Sequence, residues 1–159
     1  MVPHTETLTA LPKKAVWLGA LGLIPFAALT AIAVFGNGTN ASAALFAVVA
    51  YGAVILSFLG GAHWGFASAA MKDQPAAASR LLVMSVVPSL LGWVAVLLPM
   101  PWSAAVLAVA FLAILPLDRW ALTHAFAPGW WLRLRIPLSA TVSTLLFLAI
   151  ASEFPRAGL

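Results

Sequence analysis

The sequence predicts an all-α polytopic membrane protein, a bundle of five transmembrane helices with the N-terminus cytoplasmic and the C-terminus outside. Three observations predict it. Hydrophobic residues make up 64% of the 159-residue chain, against roughly 45–50% apolar in an ordinary soluble domain. Only eight basic and four acidic residues are present, too few to cover the surface of a soluble globule of this size. The apolar residues are gathered into five runs, each near the roughly 20 residues that a helix needs to cross a bilayer core of about 30 Å. Cysteine is absent, which excludes thiolate nucleophiles and cysteine-ligated zinc or iron–sulfur centres.

The runs cover residues 15–36, 43–71, 81–98, 103–123 and 131–152, after a short cytoplasmic segment at 1–14; residues 15–153 form one transmembrane domain. They are uniformly apolar, without the alternation a membrane barrel requires, and open strands cannot span lipid because their edges leave backbone groups unpaired. The connectors agree. Gly36-Asn37-Gly38-Thr39-Asn40 is a turn by composition, Lys72-Asp73-Gln74-Pro75 begins a polar loop, Pro99-Met100-Pro101-Trp102 is a tight hairpin, and Ala127-Pro128-Gly129 breaks the chain before the last run. The second run is long, so it tilts or projects beyond the lipid. Pro25, Pro88, Pro116 and Pro137 are each expected to kink a helix.

Lys and Arg favour the cytoplasmic side. On an alternating five-span path Lys13, Lys14, Lys72, Arg80, Arg119, Arg133 and Arg135 fall on one side, and only Arg156 falls on the other. The net charge of +4 therefore reports topology, and no nucleic acid is implied as a partner. A cleaved signal peptide is the rival for the first run, but a run of about 22 residues is longer than the usual 7–15 of a signal core. The Asn37-Gly38-Thr39 and Asn40-Ala41-Ser42 glycosylation patterns sit in a tight loop at the lipid surface and are taken as accidental.

Two constellations stand out. Ala53, Ser57, Gly61, Gly65 and Ala69 place small residues at every fourth position of the second run. Such a stripe lets helix backbones approach closely, either inside the bundle or against a membrane-protein partner or a second copy. The other is a polar cluster in the cytoplasmic half: His63, Trp64, Ser85, Asp118, Arg133 and Arg135. Polar groups in a span are costly and face the interior or a cavity. Asp118 lies under the cytoplasmic surface, and its expected partner is Arg133 or Arg135 on the next run. Those two arginines are two residues apart, so at most one turns inward while the other snorkels to lipid phosphates. A structural ion pair and a ligand or proton site both remain open for this cluster. Its one-sided placement favours a half-membrane pocket over a through-channel.

No cofactor is expected. Bis-histidine haem would need His63 and His124 at matched depth, and His124 reads as interfacial. The carboxylates and imidazoles are too few for metal hydrolysis, and there is no nucleophile-elbow motif.

LSFLGGAHWG at 56–65, RLLVMSVVPSLLGW at 80–93 and WWLRLRIPLS at 130–139 together resemble the transmembrane protein 69 family, an uncharacterised family of bacterial and mitochondrial inner-membrane proteins. The resemblance implies an energy-transducing inner membrane, here a bacterial one, and carries no established activity. Similarity to the translocator-protein family is one of size and tryptophan content only. Trp17, Trp102, Trp120, Trp130 and Trp131 read instead as interface markers. Two functions are weighed: a non-enzymatic accessory or assembly protein of a membrane complex, and a binder or transporter of a small ligand, lipid head group or proton. An enzyme has the fewest residues behind it.

Overall fold

The computed structural model describes residues 11–153. Most of the N-terminal segment, and Arg156, lie outside the described residues. Seven helices follow one another: α1 Lys13–Phe35, α2 Gly38–Ala70, α3 Pro75–Met84, α4 Val87–Leu97, α5 Trp102–Ala113, α6 Leu115–Thr123 and α7 Trp131–Ala151. They make five membrane spans, because α3 with α4 and α5 with α6 each form one broken span.

The breaks have a chemical cause. Pro88 and Pro116 sit in the first turns of α4 and α6, where a missing N–H leaves no helical bond unmade. The preceding span is interrupted just ahead of each, at Ser85–Val86 and at Ile114. Ser85 turns its hydroxyl back onto the Leu82 carbonyl at 2.7 Å, satisfying an acceptor beside the break. Pro25 and Pro137, by contrast, lie within uninterrupted helices. Two of the four prolines thus coincide with an interruption of the helix and two do not. Helix starts also move from the expected positions. Gly38-Thr39-Asn40 joins α2 although its composition reads as a turn, and Pro75 begins α3 six residues before the apolar run.

The centre of the bundle is α2, which packs on α1, α3, α4 and α5, while α7 closes the ring against α1, α5 and α6. The main core joins Phe26, Val48, Leu56, Leu107, Phe111 and Leu146. Phe26 anchors it, edge-on to Tyr51 and to Phe111 at centroid separations of 5.0 and 6.0 Å. A smaller cluster at the arginine-rich end joins Ala67, Leu81, Ala121 and Ala127.

Close helix approach does occur on α2, but through a different set of small residues. A side chain at Gly52 would press on Leu107, and one at Gly60 would run into the Ser85 carbonyl oxygen. Between α4 and α2, Gly92 lies against the Ala53 backbone. Of the expected stripe only Ala53 is buried in this packing. Ser57 is half-buried, and Gly61, Gly65 and Ala69 face outward. Open space surrounds the positions where Gly61 and Gly65 would carry a side chain. The reason is angular: at 3.6 residues per turn a four-residue step overshoots by about 40°, so five such positions wind from the inner face to the outer one.

Candidate functional site

Three spans bring polar atoms to one point near the arginine-rich end. Asp118 lies in the first turn of α6, the helix end whose partial positive charge suits a carboxylate. Its position depends on the break at Ile114, which starts a new helix just ahead of it.

Trp131, Arg135 and Ser139 come from α7 at four-residue intervals and share its inward side. The connector sets where that helix begins. After α6 the chain turns through Ala125 in the left-handed region, with φ of 57°. The Phe126 N–H donates to the Ala121 carbonyl at 2.9 Å, and the Ala125 N–H donates to the Leu122 carbonyl at 3.0 Å. This pair of bonds is a Schellman closure, with alanine at the position glycine usually holds. It returns the chain so that the first residue of α7 reaches back to Asp118.

The carboxylate is fully buried and its oxygens are divided among its neighbours. The Trp131 indole N–H donates to Oδ1 at 2.6 Å. Arg135 Nε donates to Oδ2 at 3.2 Å. His63 Nε2 lies 3.0 Å from Oδ1, off the axis of a straight ring N–H bond. The other ring nitrogen, Nδ1, is 2.8 Å from the Leu59 carbonyl one turn back. A carbonyl only accepts, so Nδ1 carries the hydrogen. Phe66 packs edge-on between the His63 and Trp131 rings, at 6.1 and 5.1 Å.

The result is an ion pair closed by direct contact and sealed by aromatic rings. Cavities open elsewhere: between the two broken spans, at the opposite end beside Ser103, and between α1 and α2. Among the described residues no group of three or more histidine, cysteine or carboxylate side chains is arranged to hold a metal. His63 Nε2, Arg135 Nη2 and Ser139 Oγ are buried without a hydrogen-bond partner among the described residues.

Of the residues singled out in the sequence, His63, Asp118 and Arg135 meet. Trp64 points away, half exposed. Ser85 spends its hydroxyl at the helix break, and Arg133 lies on the exposed side of α7. Sequence reasoning missed Trp131 and Ser139. The signal that could have found them was the four-residue spacing through Arg135. It was passed over because an aromatic residue at a span end reads first as an interface anchor.

The sequence profile of a family described as Protein of unknown function (DUF3429) matches residues 11–151. The chain is 38% identical over 158 residues to Transmembrane protein 69 of Xenopus tropicalis, covering 97% of this chain and 61% of that protein. It is 31% identical over 150 residues to Transmembrane protein 69 of Mus musculus, covering 92% of this chain and 60% of that protein. The chain thus spans about three fifths of the length of these relatives. No solved structure matches. With five membrane-spanning helices and a profile match over nearly its whole described length, this chain belongs to the DUF3429 family of proteins of unknown function and is similar to Transmembrane protein 69.

Proposed function

We propose that this chain is a non-enzymatic accessory or assembly protein of a membrane complex, resident in a bacterial inner membrane with its N-terminus cytoplasmic. One observation carries the reading: the buried carboxylate of Asp118 is taken up by protein donors on both oxygens, so the polar centre ties helices together and offers no ligand a free edge. The outward placement of Gly61, Gly65 and Ala69 supports it further, since a partner helix can approach a surface without side chains closely. The cytoplasmic placement rests on the positive-inside rule, because the basic residues of α1, of the α2–α3 connector and of the α6–α7 region lie at one end of the bundle.

The test is native mass spectrometry of the protein extracted gently from its own membranes. A stoichiometric protein partner, lost in Gly61→Leu with the fold intact, is the expected result. A chain that is always solitary sinks the reading. Since the chain has no cysteine, a single cysteine placed at Asp73 reports orientation cleanly. It is expected to react with an impermeant thiol reagent only from the cytoplasmic side.

A second reading, a small-ligand or proton site at the same centre, is favoured by Arg135 Nη2 and Ser139 Oγ, buried without a hydrogen-bond partner among the described residues. Buried polar atoms are rarely left so, and a water or small polar ligand would complete them. A reproducible small-molecule mass on a solitary chain, lost in His63→Ala, would select it.

A further inference from the structure

The two broken spans face each other across two crevices. Near the arginine-rich end a crevice of about 310 Å³ is lined by Arg80, Leu81, Met84, Leu117 and Trp120. Deeper, a second crevice of about 180 Å³ is walled by apolar side chains that include Leu56, Leu91 and Ala113. Met84 and Leu117 line both, so the two are compartments of one channel open to the side. Met84 ends α3 and Leu117 stands in the first turn of α6, so the compartments join where both spans break.

The walls are held apart by design of the fold. At the rim the Gln74 side-chain amide donates to the His124 carbonyl at 3.1 Å, tying the start of α3 to the end of α6. In the membrane interior α4 packs on α5. Between these two ties α3 and α6 make little contact. Trp120 forms part of the wall, packed at a tilt on His124 at 4.1 Å and edge-on to Phe126 at 5.8 Å.

The chemistry along the crevice is that of a lipid. Arg80 is exposed at its mouth and has no hydrogen bond or ion pair to the protein among the described residues. Below it the lining is hydrocarbon. From Arg80 to Leu91 the helical rise amounts to about 16 Å, close to half of the roughly 30 Å hydrocarbon core. The crevice therefore runs the depth of one leaflet from a cation at the head-group level. We infer that it binds one membrane glycerophospholipid, with an acyl chain between the broken spans and the phosphate on the Arg80 guanidinium. Basic pockets between transmembrane helices hold lipid phosphates in this way.

The test uses the full chain in detergent, stripped of lipid and titrated with palmitoyl-oleoyl phosphatidylglycerol, with bound lipid counted by native mass spectrometry. One saturable lipid is expected. Arg80→Gln should weaken it about fivefold. Ala113→Phe, which fills the deep compartment from an exposed position, should abolish it. Arg119→Gln, outside the lining, should bind as the parent does, and all three variants should remain monodisperse. Parent-like binding by both Arg80→Gln and Ala113→Phe overturns the proposal. So does equal affinity for diacylglycerol, which lacks the phosphate. A photocrosslinking side chain placed at position 113 should capture lipid in native membranes; capture of a protein helix there instead would also overturn it.

Discussion

Gly60 of α2 and Ser85 at the α3–α4 break meet backbone to backbone, close enough that a single methyl group on Gly60 would strike the Ser85 carbonyl oxygen. The obstacle is main chain, which cannot rotate aside. Gly60→Ala is therefore expected to destabilise the bundle by about 1–3 kcal/mol, the cost of overpacking. Gly61→Ala meets open space in the interior of α2 and should be neutral to stabilising, by up to about 1 kcal/mol. Thermal unfolding of the two variants in detergent checks this, and equal melting temperatures would refute it.

Asp118→Asn leaves the Arg135 guanidinium buried without its counter-charge. Breaking such a pair from one side costs about 3–5 kcal/mol, and the variant should show a large loss of folded yield. Replacing both partners, Asp118→Leu with Arg135→Met, should recover part of that yield, because no charge is left buried while the Trp131 indole N–H still loses its acceptor. If the double variant is as damaged as the single one, the uncompensated Arg135 charge is not what costs the single variant its yield.

Trp131→Phe keeps a ring against Phe66 but removes the donor to Asp118. A hydrogen bond to a charged acceptor contributes about 1.5–3 kcal/mol, and a loss in that range is expected on chemical unfolding. Trp130→Phe, whose indole has no such role among the described residues, serves as the comparison and should be near neutral.

Ala125→Gly should stabilise the protein. The residue holds a left-handed conformation that costs an L-amino acid with a Cβ roughly 1 kcal/mol and glycine nothing. The gain appears as a higher melting temperature with an unchanged bundle. A lower one would mean that the Ala125 methyl packs more usefully than the backbone geometry indicates.

The spans were readable because a bilayer imposes a length and a polarity on any helix crossing it, and uniform runs of this kind leave few alternatives. That Asp118 would meet one of Arg133 and Arg135 was readable from depth along two consecutive spans joined by a short connector; that it is Arg135 was not. Other features depend on angle rather than depth. The wandering of the small-residue positions from Ala53 to Ala69 follows from helical pitch, which a one-in-four spacing conceals. Trp131 was hidden by its own versatility, since an indole at a span end can face lipid phosphates or turn inward to a carboxylate. Pro25 and Pro137 leave their helices whole while Pro88 and Pro116 coincide with breaks.

The clamp on Asp118 also bears on how the chain enters its membrane. Its firmest donors, Trp131 and Arg135, are both synthesised after it, on the final span. Until they arrive, Asp118 of the fourth span has only the His63 imidazole of the second span beside it, and an acidic group at a helix centre costs about 2.5–3.5 kcal/mol on the scale of insertion experiments. The last two spans therefore form one unit in the polarity they present to lipid: the final span carries the donors that the Asp118 carboxylate of the span before it requires.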